Sequence, residues 1–192
     1  MAKLHYVSPM SLDGYIGDGH YDWSGPAEGS TAFITEIIRP FGTYLYGRRN
    51  YETMSVWDSA DFVSKLGSDD HEFARVWQAA EKVIYSKSLQ NVTTKNTRLV
   101  SDFDAQEIRE MKAQSPSDLC IGGPTLAAQA IRAGLVDEVH LFVVTATLGG
   151  ESRVIPVLPR DRSIFLDLLE VRPFSKGWVY LRYRIRPEEL LL

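Results

Sequence analysis

Three stretches of the sequence place anion-binding residue types directly after a run that is typical of a β-strand. The first follows Thr43 to Tyr46, the second follows Lys82 to Tyr85, and the third begins at Ile121. Arginine forks match phosphate oxygens, and hydroxyl, ammonium and backbone N–H groups bind the same ligand. The three junctions are therefore candidates for a phosphate-binding site. Their residues are Gly47, Arg48, Arg49, Asn50, Ser86, Lys87, Ser88, Ile121, Gly122, Gly123, Pro124 and Thr125.

The third junction has the most specific local pattern. Pro124 suits the first position of a helix, and Gly134 supplies a C-terminal stop. A helix N-terminus presents unpaired N–H groups, and Gly122 with Gly123 lets an anion approach the backbone closely. An ordinary glycine turn explains the stretch equally well, because it is not the G-x-G-x-x-G pattern. The other two junctions have similar alternatives, a surface arginine pair with Glu52 and a solvated turn.

Two acidic residues, Asp13 and Glu28, lie in segments that could adjoin a ligand. Asp13 lies in the glycine-rich stretch from Ser8 to Gly19, whose mixed composition predicts an irregular loop. Such a loop is either a plain connection or a mobile cover beside a ligand. Glu28 lies at the start of a predicted helix that ends at Arg39, where a carboxylate is most often a favourable partner of the helix dipole.

Strand and helix patterns alternate through most of the chain. The apolar run from Val139 to Val144 is typical of a covered strand, and the stretches Ile164 to Val171 and Trp178 to Ile185 predict a β-hairpin. The polar segment from Trp57 to His71 is expected to contain loop. These patterns predict an α/β fold in one domain, 1–192, with a mostly parallel central sheet, flanking helices and a C-terminal antiparallel hairpin. Ligands of such sheets bind beyond the carboxyl ends of the strands, where the three junctions would converge.

Composition narrows the classes of function. A net charge of −4 and the absence of a basic run argue against nucleic acid as a partner. The lone Cys120 excludes an intrachain disulfide and a cysteine-rich zinc site. Without a signal-peptide pattern or a membrane-spanning run, we expect a cytoplasmic protein with no membrane partner. No metal site is expected, because the histidines show no ligand spacing and are predicted to be isolated: His5, His20, His71 and His140.

Taken in order, several short stretches resemble the dihydrofolate reductase superfamily, and most closely the reductase domain at the C-terminal end of the riboflavin-biosynthesis protein RibD. The resemblance covers almost the whole chain and implies a dihydrofolate reductase-like fold that binds NADPH. The stretches are Ser11-Leu12-Asp13-Gly14-Tyr15-Ile16, Tyr46-Gly47-Arg48-Arg49-Asn50-Tyr51-Glu52, Tyr85-Ser86-Lys87-Ser88, Ile121-Gly122-Gly123-Pro124-Thr125-Leu126 and Gly134-Leu135-Val136-Asp137-Glu138.

The resemblance also implies roles for the three junctions. Residues 48–50 would hold the phosphates of NADPH, and Ser86 with Lys87 would approach its adenosine 2′-phosphate. Residues 122–125 would meet the pyrophosphate and the nicotinamide ribose. In this superfamily the glycine pair is joined by a cis peptide, so we expect a cis bond between Gly122 and Gly123.

The implied activity is hydride transfer from NADPH to a pyrimidine or pteridine ring, with 5-amino-6-(5-phosphoribosylamino)uracil as the best candidate substrate. The resemblance implies two rival candidates for a carboxylate that assists the proton movement. Glu28 matches the place of the substrate-binding acid in dihydrofolate reductases, and Asp13 belongs to a pattern typical of RibD-like reductases. The zinc deaminase of bifunctional RibD proteins is excluded by the single cysteine. A dihydrofolate reductase-like activity and a non-catalytic nucleotide-binding module remain alternatives. Related reductases often form dimers, so we expect a homodimer.

Overall fold

A large mixed sheet forms the centre of the structure. The computed structural model describes residues 1–17, 27–149 and 154–187. The strands in these ranges are β1 (Leu4–Ser11), β2 (Tyr15–Gly17), β3 (Phe41–Gly47), β4 (Glu81–Tyr85), β5 (Thr97–Val100), β6 (Asp118–Gly122), β7 (Glu138–Val144), β8 (Val154–Pro156), β9 (Leu166–Pro173) and β10 (Val179–Ile185). The helices are α1 (Ser30–Ile38), α2 (Arg48–Met54), α3 (Ala60–Val63), α4 (Ser68–Ala79), α5 (Ala105–Gln114) and α6 (Pro124–Arg132).

The strand order confirms the predicted fold class. Eight strands form one sheet in the order β5-β4-β3-β6-β1-β7-β10-β9. Strands β5 to β7 of this order run parallel, whereas β10 runs antiparallel to both β7 and β9. The strands β4, β3 and β6, which end at the three junctions, are direct neighbours. The carboxyl ends of these strands therefore lie together along one side of the sheet, which we call the carboxyl edge.

Strand alternation gives the sheet two covered faces. On one face, the fully buried Tyr6, Leu45 and Ile121 pack with the apolar side of α6. On the other face, Tyr44 and Tyr46 pack with Trp77 of α4. Burying one such large apolar side chain stabilises a fold by about 1.5–3 kcal/mol before its ordering entropy is counted. Helices thus cover both faces and fix the sheet edge that carries the junctions.

The stretch from Ser8 to Gly19, predicted to be irregular, contains strand in its described part. Strand β1 extends to Ser11, where it pairs with Val144, and β2 pairs antiparallel with β8. The ladder to β7 supplies backbone hydrogen bonds that a mixed local composition does not reveal. The prediction of an irregular loop is therefore wrong for these residues.

The segment from Trp57 to His71 contains loop, as predicted, but also helix. Ser59 accepts a hydrogen bond from the Phe62 N–H at 3.3 Å and so begins α3. Residues 64–67 then connect α3 to α4.

The prediction that the histidines are isolated is also wrong for one pair. His5 on β1 and His140 on β7 are buried, and Nδ1 of the first lies 2.9 Å from Nε2 of the second. The two residues are far apart in sequence, but their strands are neighbours in the sheet. His71 is exposed on α4, and His20 lies outside the described residues.

None of the helices in the described ranges combines the length and the apolar character that crossing a bilayer requires.

Candidate active site

The three junctions predicted from sequence meet at the carboxyl edge of the sheet. Gly47 at the end of β3 lies opposite Tyr85 at the end of β4, and Tyr46 lies opposite Gly122 at the end of β6. A hydrogen bond of 3.0 Å from Arg48 Nη1 to Ser88 Oγ joins the first junction to the second. The structure therefore brings the three predicted cofactor-binding junctions side by side.

The glycine junction is packed tightly against its neighbour on β3. A Cβ atom placed on Gly122 would lie 2.5 Å from Asn50 Nδ2 and 2.8 Å from Tyr46 Cε1, so only glycine fits. Gly123 has φ 89° and ψ 123°, a backbone conformation that glycine adopts readily. With this conformation the chain turns from β6 into α6 through a trans peptide.

Every peptide bond between described residues is trans. The cis bond expected between Gly122 and Gly123 is therefore absent, and that prediction is wrong. The turn is made instead by the left-handed φ of Gly123. Beyond it, Pro124 occupies the start of α6, where its missing N–H costs nothing, and Thr125 presents an exposed hydroxyl. Ile121 is fully buried and anchors β6 in the core.

Helix α2 presents its arginines to solvent at the start of the helix. Its position is fixed by the buried Tyr51, whose hydroxyl accepts a hydrogen bond of 2.9 Å from the Thr93 N–H. Arg48 Nε donates to Glu52 Oε1 at 2.7 Å, as the alternative interpretation expected. Within the described part of the chain, the exposed guanidinium of Arg49 has no hydrogen bond or ion pair. An incoming anion can therefore bind Arg49 without breaking an existing contact.

The junction after β4 contains a hydroxyl-stabilised turn and an exposed cation. Ser86 Oγ accepts hydrogen bonds from the N–H groups of Ser88 and Leu89 at 3.2 and 3.0 Å. Lys87 Nζ lies 2.5 Å from Asp102 Oδ1, and both side chains are largely exposed. An exposed ion pair of this kind contributes about 0–1 kcal/mol, so Lys87 can exchange Asp102 for a phosphate at little cost. The role of Asp102 was not visible in the sequence, because it lies on a different loop.

Asp13 lies at the same edge of the sheet, beyond β1. Its carboxylate accepts hydrogen bonds from Ser11 Oγ at 2.6 Å and from the N–H groups of Leu148 and Gly149 at 3.1 and 2.8 Å. The hydrogen bond from Ser11 and those from the backbone lower the pKa of Asp13 to about 2. The residue is therefore ionised at neutral pH, and its oxygens are already occupied in holding the loop that follows β7.

Glu28 occupies the far end of the same edge. Its side chain is exposed, and its backbone N–H donates to Ser175 Oγ at 3.0 Å, in the turn that precedes β10. Because β10 pairs antiparallel with β7, this turn lies beside the carboxyl end of β7. The preceding Ala27 packs with Phe142 and Trp178. Glu28 is thus placed by a turn near the C-terminus, a contact that sequence reasoning missed.

The edge consequently has two chemically distinct halves. Beyond β4, β3 and β6 lie cations, hydroxyl groups and a helix N-terminus, which suit phosphates. Beyond β1 and β7 and beside the turn before β10 lie Asp13, whose oxygens are occupied, and Glu28, whose exposed carboxylate suits the nitrogen atoms of a polar ring. This arrangement can hold a phosphate-bearing molecule at one side and a second, uncharged or cationic ring at the other.

Comparison with known proteins places this geometry in a family. A family model described as the RibD C-terminal domain matches residues 2–180. The chain belongs to the RibD C-terminal domain family. The uncharacterized protein YyaP of Bacillus subtilis (strain 168) is 30% identical over 183 residues, which cover 91% of this chain and 90% of that protein.

Solved structures support the fold of this RibD C-terminal domain. A putative riboflavin biosynthesis protein from Shewanella sp. PV-4 superposes with a TM-score of 0.72 at 18% identity, covering 97% of this chain and 100% of the other. Dihydrofolate reductase from Enterococcus faecalis, complexed with NADP(H) and RAB-propyl, superposes with a TM-score of 0.63 at 15% identity, covering 96% and 97%. The predicted family and the dihydrofolate reductase-like fold are confirmed.

Proposed function

We propose that this protein is an NADPH-dependent reductase that transfers hydride to a pyrimidine or pteridine ring. The observation that supports it most strongly is the convergence of three anion-binding junctions beside a pair of carboxylates at one sheet edge. Membership of the RibD C-terminal domain family supports the same reaction class. Neither a phosphate site nor an acid alone would favour a reductase over a simple binding protein.

The donor set at this edge fits a phosphorylated dinucleotide. Arg48, Arg49 and Asn50 would hold its phosphates, and residues 122–125 would meet the pyrophosphate and the nicotinamide ribose at the start of α6. Lys87, with the Ser86–Ser88 turn, would bind the 2′-phosphate. When bound, NADPH supplies the hydride, and the protein aligns the two rings and excludes water.

The second half of the edge would then receive the substrate ring. We propose that Glu28 binds the ring and assists the proton movement, because its carboxylate is exposed at the edge. Asp13 keeps its charge and its three hydrogen-bonded partners, so we assign it the task of holding the loop at Leu148 and Gly149. A carboxylate occupied in this way is a poor proton donor at neutral pH.

Two substrates follow from the relatives. The riboflavin-biosynthesis name of the Shewanella protein favours 5-amino-6-(5-phosphoribosylamino)uracil, and the similarity to dihydrofolate reductase favours dihydrofolate as the alternative. The test is NADPH oxidation with each substrate, followed by absorbance. We expect turnover with the uracil and a loss of about 10²–10⁴-fold for Glu28→Gln with NADPH binding unchanged. Binding of NADPH without oxidation by either substrate would instead support a non-catalytic nucleotide-binding module.

We further propose that the protein is a cytoplasmic homodimer. Strand β9 is an end strand of the sheet, and it exposes large apolar side chains that a second copy could cover. The free, buried Cys120 fits a reducing compartment. The exposed apolar residues on and beside β9 are Phe165, Leu168, Leu169 and Val171.

A further inference from the structure

A buried cluster of two histidines and a glutamate lies at the opposite edge of the sheet. His5 on β1 is the register partner of Glu138 on β7, and His140 lies two residues further along β7 on the same face. All three side chains are buried, at 6%, 5% and 3% exposure. Parallel pairing of β1 and β7 therefore places three metal-ligand residue types side by side.

The three inward atoms have the separations that a small transition metal needs. His5 Nδ1 lies 2.9 Å from His140 Nε2, and Glu138 Oε2 lies 3.7 and 3.9 Å from these two nitrogens. A point in their plane is about 2.1 Å from all three atoms, which equals the usual zinc–nitrogen and zinc–oxygen distances. Tetrahedral coordination would require the nitrogens to separate to about 3.3 Å, a change of a few tenths of an ångström.

The outward atoms of the same residues are held by further hydrogen bonds. His5 Nε2 lies 3.3 Å from Asp118 Oδ2, and His140 Nδ1 lies 2.7 Å from the Tyr180 hydroxyl. If each ring donates its N–H outward, as metal-binding histidines do, the two inner lone pairs face each other at 2.9 Å. Two lone pairs at that distance repel unless a cation lies between them.

The charges around the cluster are compatible with one divalent ion. Lys3 Nζ donates to the outward Oε1 of Glu138 at 2.6 Å, leaving Oε2 directed at the histidines. Arg182 also faces the cluster, and its guanidinium lies 3.3 Å from Glu170. Asp118 adds a second carboxylate beside His5. The three carboxylates around the cluster thus outnumber the two cations, so its surroundings carry one net negative charge before a metal binds.

We propose that His5, Glu138 and His140 form a zinc-binding site that fastens β1 to β7. Imidazole nitrogens with one carboxylate select zinc and its neighbours in the transition series over magnesium or calcium. His5 precedes the end of β1 by six residues, so the site lies about 20 Å from the proposed cofactor edge. Its role is therefore structural, and it does not depend on the proposed reductase activity.

The test is metal analysis and thermal unfolding of the untagged full-length chain. We expect one zinc per chain after incubation with zinc and removal of the excess. Saturating zinc should raise the midpoint of unfolding by about 5 °C or more relative to EDTA. Cobalt in place of zinc should give the intense visible absorption of a low-symmetry site. NADPH binding, measured in parallel, should be the same with zinc and with EDTA.

Two variants and a matched control sharpen the result. Glu138→Gln and His140→Gln should each lose the bound zinc and the zinc-dependent shift, whereas His71→Gln, which changes an exposed histidine, should keep both. Wild-type protein that binds no zinc and unfolds at the same temperature in zinc and in EDTA would overturn the proposal, even if a variant fails to fold. In that case the pair would be an ordinary buried hydrogen bond between histidines.

Discussion

The glycine junction offers the most direct quantitative test of how the candidate cofactor half is built. In Gly122→Ala, the added methyl group would lie 2.8 and 2.9 Å from two carbons of the Tyr46 ring. Asn50 can turn its amide away, but Tyr46 is buried, stacks on Tyr44 at 5.6 Å and accepts a hydrogen bond from Trp77 Nε1 at 3.2 Å. The strand or the ring must therefore move by about half an ångström, because contacts below about 3 Å are repulsive.

Overpacking of this kind costs about 1–3 kcal/mol of the free energy of unfolding. For a chain of this length, that loss corresponds to about 2–12 °C in the midpoint of thermal unfolding. Urea titration and thermal unfolding of the purified protein measure both quantities. The matched control is Gly47→Ala on the neighbouring strand, where φ is −75° and the nearest atom to the new Cβ is Leu126 Cβ at 3.9 Å. Unfolding of Gly122→Ala at the same midpoint as Gly47→Ala and the wild type would refute the tight packing of Gly122 against Tyr46.

Three further predictions concern charges at the two halves and the exposed strand. Asp13→Asn should destabilise the protein at neutral pH. Folding lowers the pKa of this acid from 3.8 to about 2, so the ionised Asp13 stabilises the folded state fully above pH 3.8. In urea titrations, the stabilities of wild type and variant should converge as the pH falls towards 2. Lys87→Ala should reduce the preference for NADPH over NADH by about tenfold with stability unchanged, whereas Lys65→Ala, a similar exposed lysine paired with an acid, should alter neither. Leu168→Asp should convert the proposed dimer into a monomer by light scattering, and an unchanged mass would contradict the assignment of β9 as the interface.

Local sequence patterns correctly predicted several strands and one helix of the fold. Strands β7, β9 and β10 were predicted from the apolar run at Val139 to Val144 and the alternation near the C-terminus. In a strand, the order of apolar and polar residues reflects directly whether one or both faces are buried. Pro124 and Gly134 likewise predicted the limits of α6. The resemblance to a known family supplied the cofactor and the residue roles, which spacing alone left open.

Contacts between residues far apart in the chain could not be predicted from local sequence patterns. The pairing of β2 with β8 joins residues far apart in the chain, and no local pattern in either three-residue strand predicts it. The proximity of His5 to His140 depends on the register of β1 with β7, which is fixed only when the whole sheet forms. The hydrogen bonds of the Asp13 carboxylate could not be predicted for the same reason, since two of its partners, Leu148 and Gly149, follow β7.

The most direct test of the proposed function is fluorescence titration of the purified protein with NADPH and with NADH, repeated for Arg49→Ala and Arg75→Ala. Arg49 is exposed, and within the described residues its side chain makes no hydrogen bond or ion pair, so its removal should leave stability unchanged and weaken NADPH binding by about 10- to 100-fold. Arg75 is exposed on α4, where it pairs with Glu72, and its removal should not affect binding. Tight NADPH binding that weakens only for Arg49→Ala is the predicted result. Failure of the wild-type protein to bind either dinucleotide would contradict the assignment of the sheet edge as a cofactor site and the reductase function with it.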